Sequence, residues 1–331
     1  MASLAEIRAK LQASSQQGAN SSGGDNAIYP HWNIAEGNTA TVRFLPDGDN
    51  SNTFFWVERA MINLTFAGIE GETNSKPVTV QVPCMEMWGE SCPILTEIRP
   101  WFKVGDKALE DKAKGYWKKK SYLFQGFVVD SKLQEDGKVP ENPIRRFIIS
   151  TQIFNIIKAA LMDPEMEESP TDYVRGVDFR ITKTTKGQYA DYSTSNWARR
   201  ERAIGEGEQA AIKQFGLFNL KEFLPKKPTD VEIKVMKEMF EASVNGEAYS
   251  PERWSQYFKP KNYQVKAVSA PVVVPMVATA AVIDEDDVPF ESAPAPKAAT
   301  ASPATAPVTE GASARAQDIL AKIRRTQQQQ Q

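Results

Sequence analysis

The sequence predicts an α+β fold in which five or so short strands close into a small barrel, with a hairpin and several helices appended. Three observations carry that prediction. Between Ile28 and residue 149 apolar and polar residues alternate in short runs, and the connections between those runs are long and polar. Within the core, helical periodicity becomes dominant only beyond Ser150. Short strands joined in this way are the pattern of a five-stranded OB-type barrel.

In chain order, residues 3–12 (SLAEIRAKLQ) place Leu4, Ile7 and Leu11 at helical spacing behind Ser3, with Arg8 and Lys10 on the other side. A helix this short is unstable alone, so it is expected to fold against a partner surface. Residues 13–26, rich in Ser, Gln, Gly and Asn, form a linker, and 1–27 together make an N-terminal arm. The core is expected over 28–266. There Val42 and Phe44 alternate with Thr41 and Arg43, Val78, Val80 and Val82 alternate with Thr79 and Gln81, and 122–129 and 145–149 are β-rich. Ser150 caps a helix with Ile153, Ile156, Ile157, Ala160 and Leu161 on one face, ended before Pro164. A hairpin follows, with Val177, Phe179 and Ile181 facing one way, Asp178, Arg180 and Thr182 the other, and Lys186-Gly187 in the turn. Helices are expected at 207–216, at 229–244 with Gly246 ending it, and at 251–258. Residues 267–331, dominated by Ala, Pro, Val and Thr, read as a disordered tail. The tail holds the acidic cluster Asp284, Glu285, Asp286, Asp287, Val288, Pro289 and Phe290, then a short helix over 313–325 whose DILAKIR echoes EIRAKLQ near the N-terminus.

The 331 residues, 41% hydrophobic, suffice for a real core. No run approaches the roughly 18 apolar residues of a membrane span, and two cysteines, Cys84 and Cys92, are too few for a disulfide framework. A soluble protein of a reducing compartment is expected. The net charge of −2 hides two basic stretches. Residues 99–120 hold eight basic residues against three acidic, and 175–202 hold seven against three. Aromatic residues are interleaved with both. Bases stack on aromatic faces while cations track the phosphates of a single strand, so these stretches are candidate nucleic-acid surfaces. The DNA-binding residues expected on this ground are Arg99, Lys103, Lys114, Tyr116, Lys118, Lys119, Lys120, Tyr122, Arg145, Arg146, Phe147, Lys183, Lys186, Tyr189 and Tyr192; Trp117 is expected as core. Catalysis is not expected: the one histidine, His31, has no evident partner, and no phosphate loop, GxSxG or HExxH occurs.

The segments KKKSYLFQGFVV (118–129), RRFIISTQIFNIIKAAL (145–161), DPEMEESP (163–170) and KGQYADYS (186–193) resemble, in order and spacing, the gene-thirty-two family of helix-destabilising single-stranded-DNA-binding proteins of T-even-type phages. The resemblance covers roughly residues 1–260 and implies an OB-type core with a DNA cleft, cooperative self-association through the N-terminal arm (Leu4, Ile7, Arg8, Lys10, Leu11), and an acidic tail. That tail would contact phage DNA polymerase, helicase loader, primase and recombinase in the cytoplasm of an infected bacterium. It implies cleft aromatics at Tyr122, Phe147, Tyr189 and Tyr192 and a basic run at Lys118, Lys119 and Lys120, with Leu123 replacing a tryptophan of the family. It also implies a zinc site, of which this chain keeps only Cys84 and Cys92. Leu95 stands at the third position and no histidine lies near 59–61, so the metal is expected to be lost and replaced by apolar packing. An RNA-binding translational regulator is the alternative function, and a carboxylate–Mg²⁺ nuclease the third.

Overall fold

The computed structural model describes residues 26–135 and 140–260. The expected N-terminal helix with Leu4, Ile7, Arg8, Lys10 and Leu11, and the tail with its acidic cluster and C-terminal helix, lie outside the described residues. The strands are β1 (Thr39–Phe44), β2 (Trp56–Phe66), β3 (Val78–Pro83), β4 (Lys119–Asp130), β5 (Arg145–Ser150), β6 (Val177–Thr182), β7 (Thr184–Lys186), β8 (Tyr189–Asp191) and β9 (Asn196–Glu201). The α-helices are α1 (Pro93–Ile98), α2 (Lys107–Gly115), α3 (Thr151–Leu161), α4 (Glu206–Phe215), α5 (Asp230–Asn245) and α6 (Pro251–Trp254). The chain is thus α+β with mostly antiparallel pairing. No helix among the described residues is long and apolar enough to cross a membrane.

The chain divides into two compact units. Among the described residues, the first takes 26–57 and Tyr122–Leu224; the second takes Glu58–Ser121 and 225–260.

In the first unit the strand order is β4-β1-β6-β9, with β5 paired to β4. The central strand β1 is antiparallel to both neighbours, Val42 standing opposite Val128 on one side and Phe179 on the other. Its alternation then sorts the side chains. Ala40, Val42 and Phe44 are wholly buried with Phe124, Phe147, Phe179 and Ile181, while Thr39 and Thr41 pair with Thr182 and Arg180 on the opposite face. Five rings lie within 6.4 Å of the Phe44 ring, so this core is held largely by aromatic contact. Helix α3 closes it with Ile153, Phe154 and Ile157; Ser150 stands at the N-cap as expected, although its hydroxyl makes no capping bond. The strands β6 and β9 form one long hairpin arm prolonged by β7 and β8, turning at Gly187 in the left-handed region (φ 69). Only a glycine enters that region without strain. Among the described residues β9 pairs with β6 alone.

Beside the pairing of β6 with β1, one guanidinium ties together the two ends of the arm. Arg43, wholly buried, donates to the carbonyls of Asp172 (2.8 Å) and Arg202 (2.7 Å) and to the Asp178 carboxylate (3.4 Å). Asp178 is therefore buried rather than facing outward as alternation predicts, because Arg43 and Arg202 bracket it. Gly176 is required here, since a Cβ would fall 2.5 Å from the Arg43 guanidinium and 2.3 Å from the Asp172 carbonyl.

In the second unit β2 and β3 pair antiparallel, with Ile62 opposite Val82 and Leu64 opposite Val80. Their inner face packs with Ile94, Leu95 and Ile98 of α1, Trp101, Trp254, and Met236, Met239 and Phe240 of α5. Helix α5 begins in a capping box of Thr229 and Glu232 and ends at Gly246, within one residue of expectation. Two features depart from the reading as strands up to residue 149. The strand β2 was not anticipated, and 93–115 contains two helices, the second capped by the Asp106 carboxylate, which accepts the N–H groups of Ala108 and Leu109. The last helix covers Pro251–Trp254 rather than 251–258.

Candidate nucleic-acid interface

The expected DNA-binding residues fall into two groups, one in each unit, and the structure treats them differently. In the second unit most of the basic side chains meet carboxylates. Arg99 and Lys118 both bind Glu86, Lys114 binds Asp111 at 3.0 Å, and Lys120 binds Glu58 at 2.7 Å. Burial pushes the Glu86 carboxyl up, but Lys118 and Arg99 outweigh it and hold it below its ordinary range. Lys119 is half-buried and Lys103 is exposed. Tyr116, expected to stack on bases, is instead core: its hydroxyl bonds Ser243 at 3.0 Å and its ring meets Phe240 edge-on. Trp117 packs against Phe102 and borders the same core, as expected.

In the first unit several expected contacts are also interior. Phe147 is wholly buried among Tyr29 and Phe44, so it presents no face to a base. Tyr122 is covered by Phe154, the rings parallel at 3.5 Å and 9°. A base stacking on Tyr122 would need the place Phe154 holds. Arg145 is buried and forked onto Glu135 at 2.6 and 2.9 Å, and Arg146 lies over the Phe223 ring at 3.7 Å. Both guanidiniums are therefore structural. Tyr192 is buried beside His31, its backbone N–H held by the Gln152 side chain. Leu123, at the position of the family's tryptophan, packs with Ile28, Val57, Ile148 and Leu220. Strand β4 is buried on both faces here, with Tyr122 and Phe124 in one cluster and Leu123 in another, which is why so little of it is exposed.

The arm is the exception. Its acids are all engaged internally: Asp178 by Arg43 and Arg202, Asp191 by Ser193, Gln152 and Thr184, and Glu201 by Arg175. Those hydrogen bonds, Ser193 foremost, hold the Asp191 carboxyl below its usual range. Arg180, Lys186, Arg199 and Arg200 face solvent with no ion pair among the described residues. Lys183 donates to the Trp32 carbonyl at 2.7 Å, keeping a charged stem at the arm's foot. Tyr189, the one exposed aromatic of the expected set, is 50% accessible on β8 beside the turn. The arm thus combines uncompensated cations with an available ring, which is what single-strand binding uses.

At the foot of the arm His31 is buried between Trp32 and Tyr192, its Nδ1 without a hydrogen-bond partner among the described residues. Burial, with help from the Lys183 charge, lowers its pKa to about 4.

Cys84 and Cys92 lie wholly buried in the second unit with Met85, Ile94 and Leu95. The Cys84 thiol bonds Cys92, pushing Cys92 down to about 6 with support from the N–H groups of Leu95, Met85 and Ile94 and against the effect of burial. The same bond and burial push Cys84 well up. Arg59 donates to Ser121 at 3.1 Å, Met61 is half-buried, and no group of three or more His, Cys, Asp or Glu gathers among the described residues. Two thiols in apolar surroundings do not fit a tetrahedral zinc site.

Three aromatic residues outside the expected set, Phe54, Tyr173 and Phe215, are exposed in the first unit. Phe54 is 58% accessible and lies against half-buried Trp56, ring centroids 4.7 Å apart. The signal was the run Phe54-Phe55-Trp56, in which Phe55 turns inward. No known protein-family model matches this chain, and no curated protein matches it.

Proposed function

We propose that this chain is a sequence-nonspecific single-stranded-DNA-binding protein of the gene-thirty-two type, which coats and protects unpaired strands and melts hairpins. It binds and does not catalyse. One observation carries the reading: the hairpin arm, in a chain of net charge −2, holds four solvent-facing cations without ion pairs among the described residues, Arg180, Arg199 and Arg200 along β6 and β9 and Lys186 opposite the exposed Tyr189 near the turn. Phosphates pay for such charge with released counterions, and base stacking adds about 1–3 kcal/mol per ring without regard to sequence. The antiparallel layer of the first unit supports an OB-type reading, in which β1, β4, β5, β6 and β9 would be the barrel strands. In the same proposal the N-terminal arm gives cooperative self-association, the acidic tail recruits replication, recombination and repair enzymes in the host cytoplasm, and no zinc is held.

Titration of the full chain with homopolymer DNA and RNA at several salt concentrations tests the reading. Expected are similar affinities for dT and dC polymers, tighter binding to DNA than to RNA, and a linear fall of log K with log salt. Preference for RNA would favour a translational regulator instead, and absence of binding to either would remove the proposal. Metal analysis of the purified protein tests the zinc statement independently: one tightly held equivalent would overturn it.

A further inference from the structure

Four aromatic rings of the first unit follow one another from interior to surface. Tyr122 stacks on Phe154 at 3.5 Å, Phe154 meets Trp56 edge-on at 5.3 Å, and Trp56 lies against Phe54 at 4.7 Å and 34°. The inner end is closed, because Phe154 occupies the stacking face of Tyr122. The outer end is open, because Phe54 is 58% accessible.

That outer end is held in place. Asn52 donates from Nδ2 to the Asp47 carboxylate (2.7 Å) and to the Trp56 carbonyl (3.1 Å), while its Oδ1 accepts the Phe54 N–H (3.1 Å). Trp56 in turn rests on Phe124, 5.8 Å away at 28°, and on Phe55, edge-on at 4.9 Å. An exposed ring fixed in this way loses little conformational freedom when something stacks on it. Its flanking residues Ser51, Asn52 and Thr53 are polar. Protein-docking surfaces are contiguous apolar patches of several hundred Å², whereas this is a ring pair in a polar setting, matched to one planar heterocycle. Helix α3, whose Phe154 touches Trp56, also carries Lys158 one turn beyond Phe154, exposed and without an ion pair among the described residues.

We propose that Phe54 and Trp56 form a stacking subsite for one unpaired nucleobase, with Lys158 receiving a neighbouring phosphate. The inference rests on the single-strand-binding reading and adds a subsite apart from the arm's Tyr189.

The test compares an oligo(dT) with an abasic oligomer of equal length and charge, using full-length wild type and the variants Phe54→Ala, Phe54→Leu and Phe54→Tyr. Phe54→Ala and Phe54→Leu are expected to weaken oligo(dT) binding by roughly 5- to 100-fold, to leave abasic binding unchanged, and to keep the wild-type melting temperature. Phe54→Tyr should bind as wild type does. The subsite is overturned if Phe54→Leu binds oligo(dT) like wild type, which would make the contact merely apolar, or if both oligomers lose affinity alike. If wild type binds neither oligomer, the single-strand reading itself fails. If wild type binds and Phe54→Ala changes nothing, only the subsite fails, and the exposed ring then belongs to a protein contact.

Discussion

The two basic stretches, 99–120 and 175–202, hold eight and seven cations against three acids each, and both contain tyrosines. Folding separates them. In the first, Arg99, Lys114, Lys118 and Lys120 all meet carboxylates and Tyr116 is buried. In the second, the acids are engaged by Arg43, Arg202, Arg175 and Gln152, leaving Arg180, Lys186, Arg199 and Arg200 exposed without ion pairs among the described residues, as Tyr189 is exposed. A charge count along the sequence therefore measures the wrong quantity. What attracts a phosphate is charge left over after the fold has made its own ion pairs, because a cation already neutralised releases few counterions.

The sharpest way to break this contrast is to exchange the fates of the two tyrosines. Tyr116→Ala opens a cavity in the second unit and is expected to lower stability by about 3–5 kcal/mol, read by urea unfolding, while the folded fraction keeps its DNA affinity. Tyr189→Ala is expected to do the opposite, leaving stability unchanged and weakening oligo(dT) binding by about 1–3 kcal/mol. Reversed results would show that the roles had been assigned the wrong way round.

Acid provides a second test, aimed at the foot of the arm. The folded pKa of His31, about 4, is below the unfolded value near 6.5, so on acidification the unfolded chain takes up the proton first. Its contribution is whole above about pH 6.5 and is lost as the pH falls to about 4, roughly 3 kcal/mol in all. Unfolding free energies of wild type and His31→Phe at pH 7 and pH 4.5 should show a shallower pH dependence in the variant. Equal slopes would count against the enclosed neutral imidazole.

Salt resolves the charges themselves. Replacing Arg199 and Arg200 with Gln should flatten the slope of log K against log salt by about 1.4, two phosphates at about 0.7 each. The same change at Lys118 and Lys120 should flatten it by well under half as much, and equal effects would erase the contrast. The smallest expected effect is that of Glu86→Gln. It unpairs Arg99 and Lys118 and should raise DNA affinity roughly two- to fivefold at low salt; unchanged affinity would mean that these cations face away from the strand.

Elements with local signals were legible. Gly187 announced the arm's turn, Thr229 with Glu232 and Gly246 announced α5, and the apolar face ending before Pro164 announced α3. The strand β2 was legible and passed over: Ala60, Ile62, Leu64 and Phe66 alternate with Met61, Asn63 and Thr65. Helix α2 was hidden because its lysines drew attention as charge, while Asp106 was in fact its cap. The site was harder to read. Whether Tyr122, Phe147 or Tyr192 faces solvent depends on Phe154, Phe44 and Gln152, residues brought up by other elements, and no local pattern states that. For the same reason Phe54 was missed, its exposure being decided by Asn52 and Trp56 together.

Arg43 has a consequence for how the arm would work. Because a single guanidinium grips Asp178 near the beginning of the hairpin and the Arg202 carbonyl just past its end, the arm behaves as a beam built in at one end. Past Thr182, where the pairing of β6 with β1 stops, only β7 and β8 continue the arm, and Lys186 and Tyr189 sit at that end. A lysine at position 43 would lack the fork that joins Asp178 to the Arg202 carbonyl, and the pairing of β6 with β1 would then hold the base of the arm by itself.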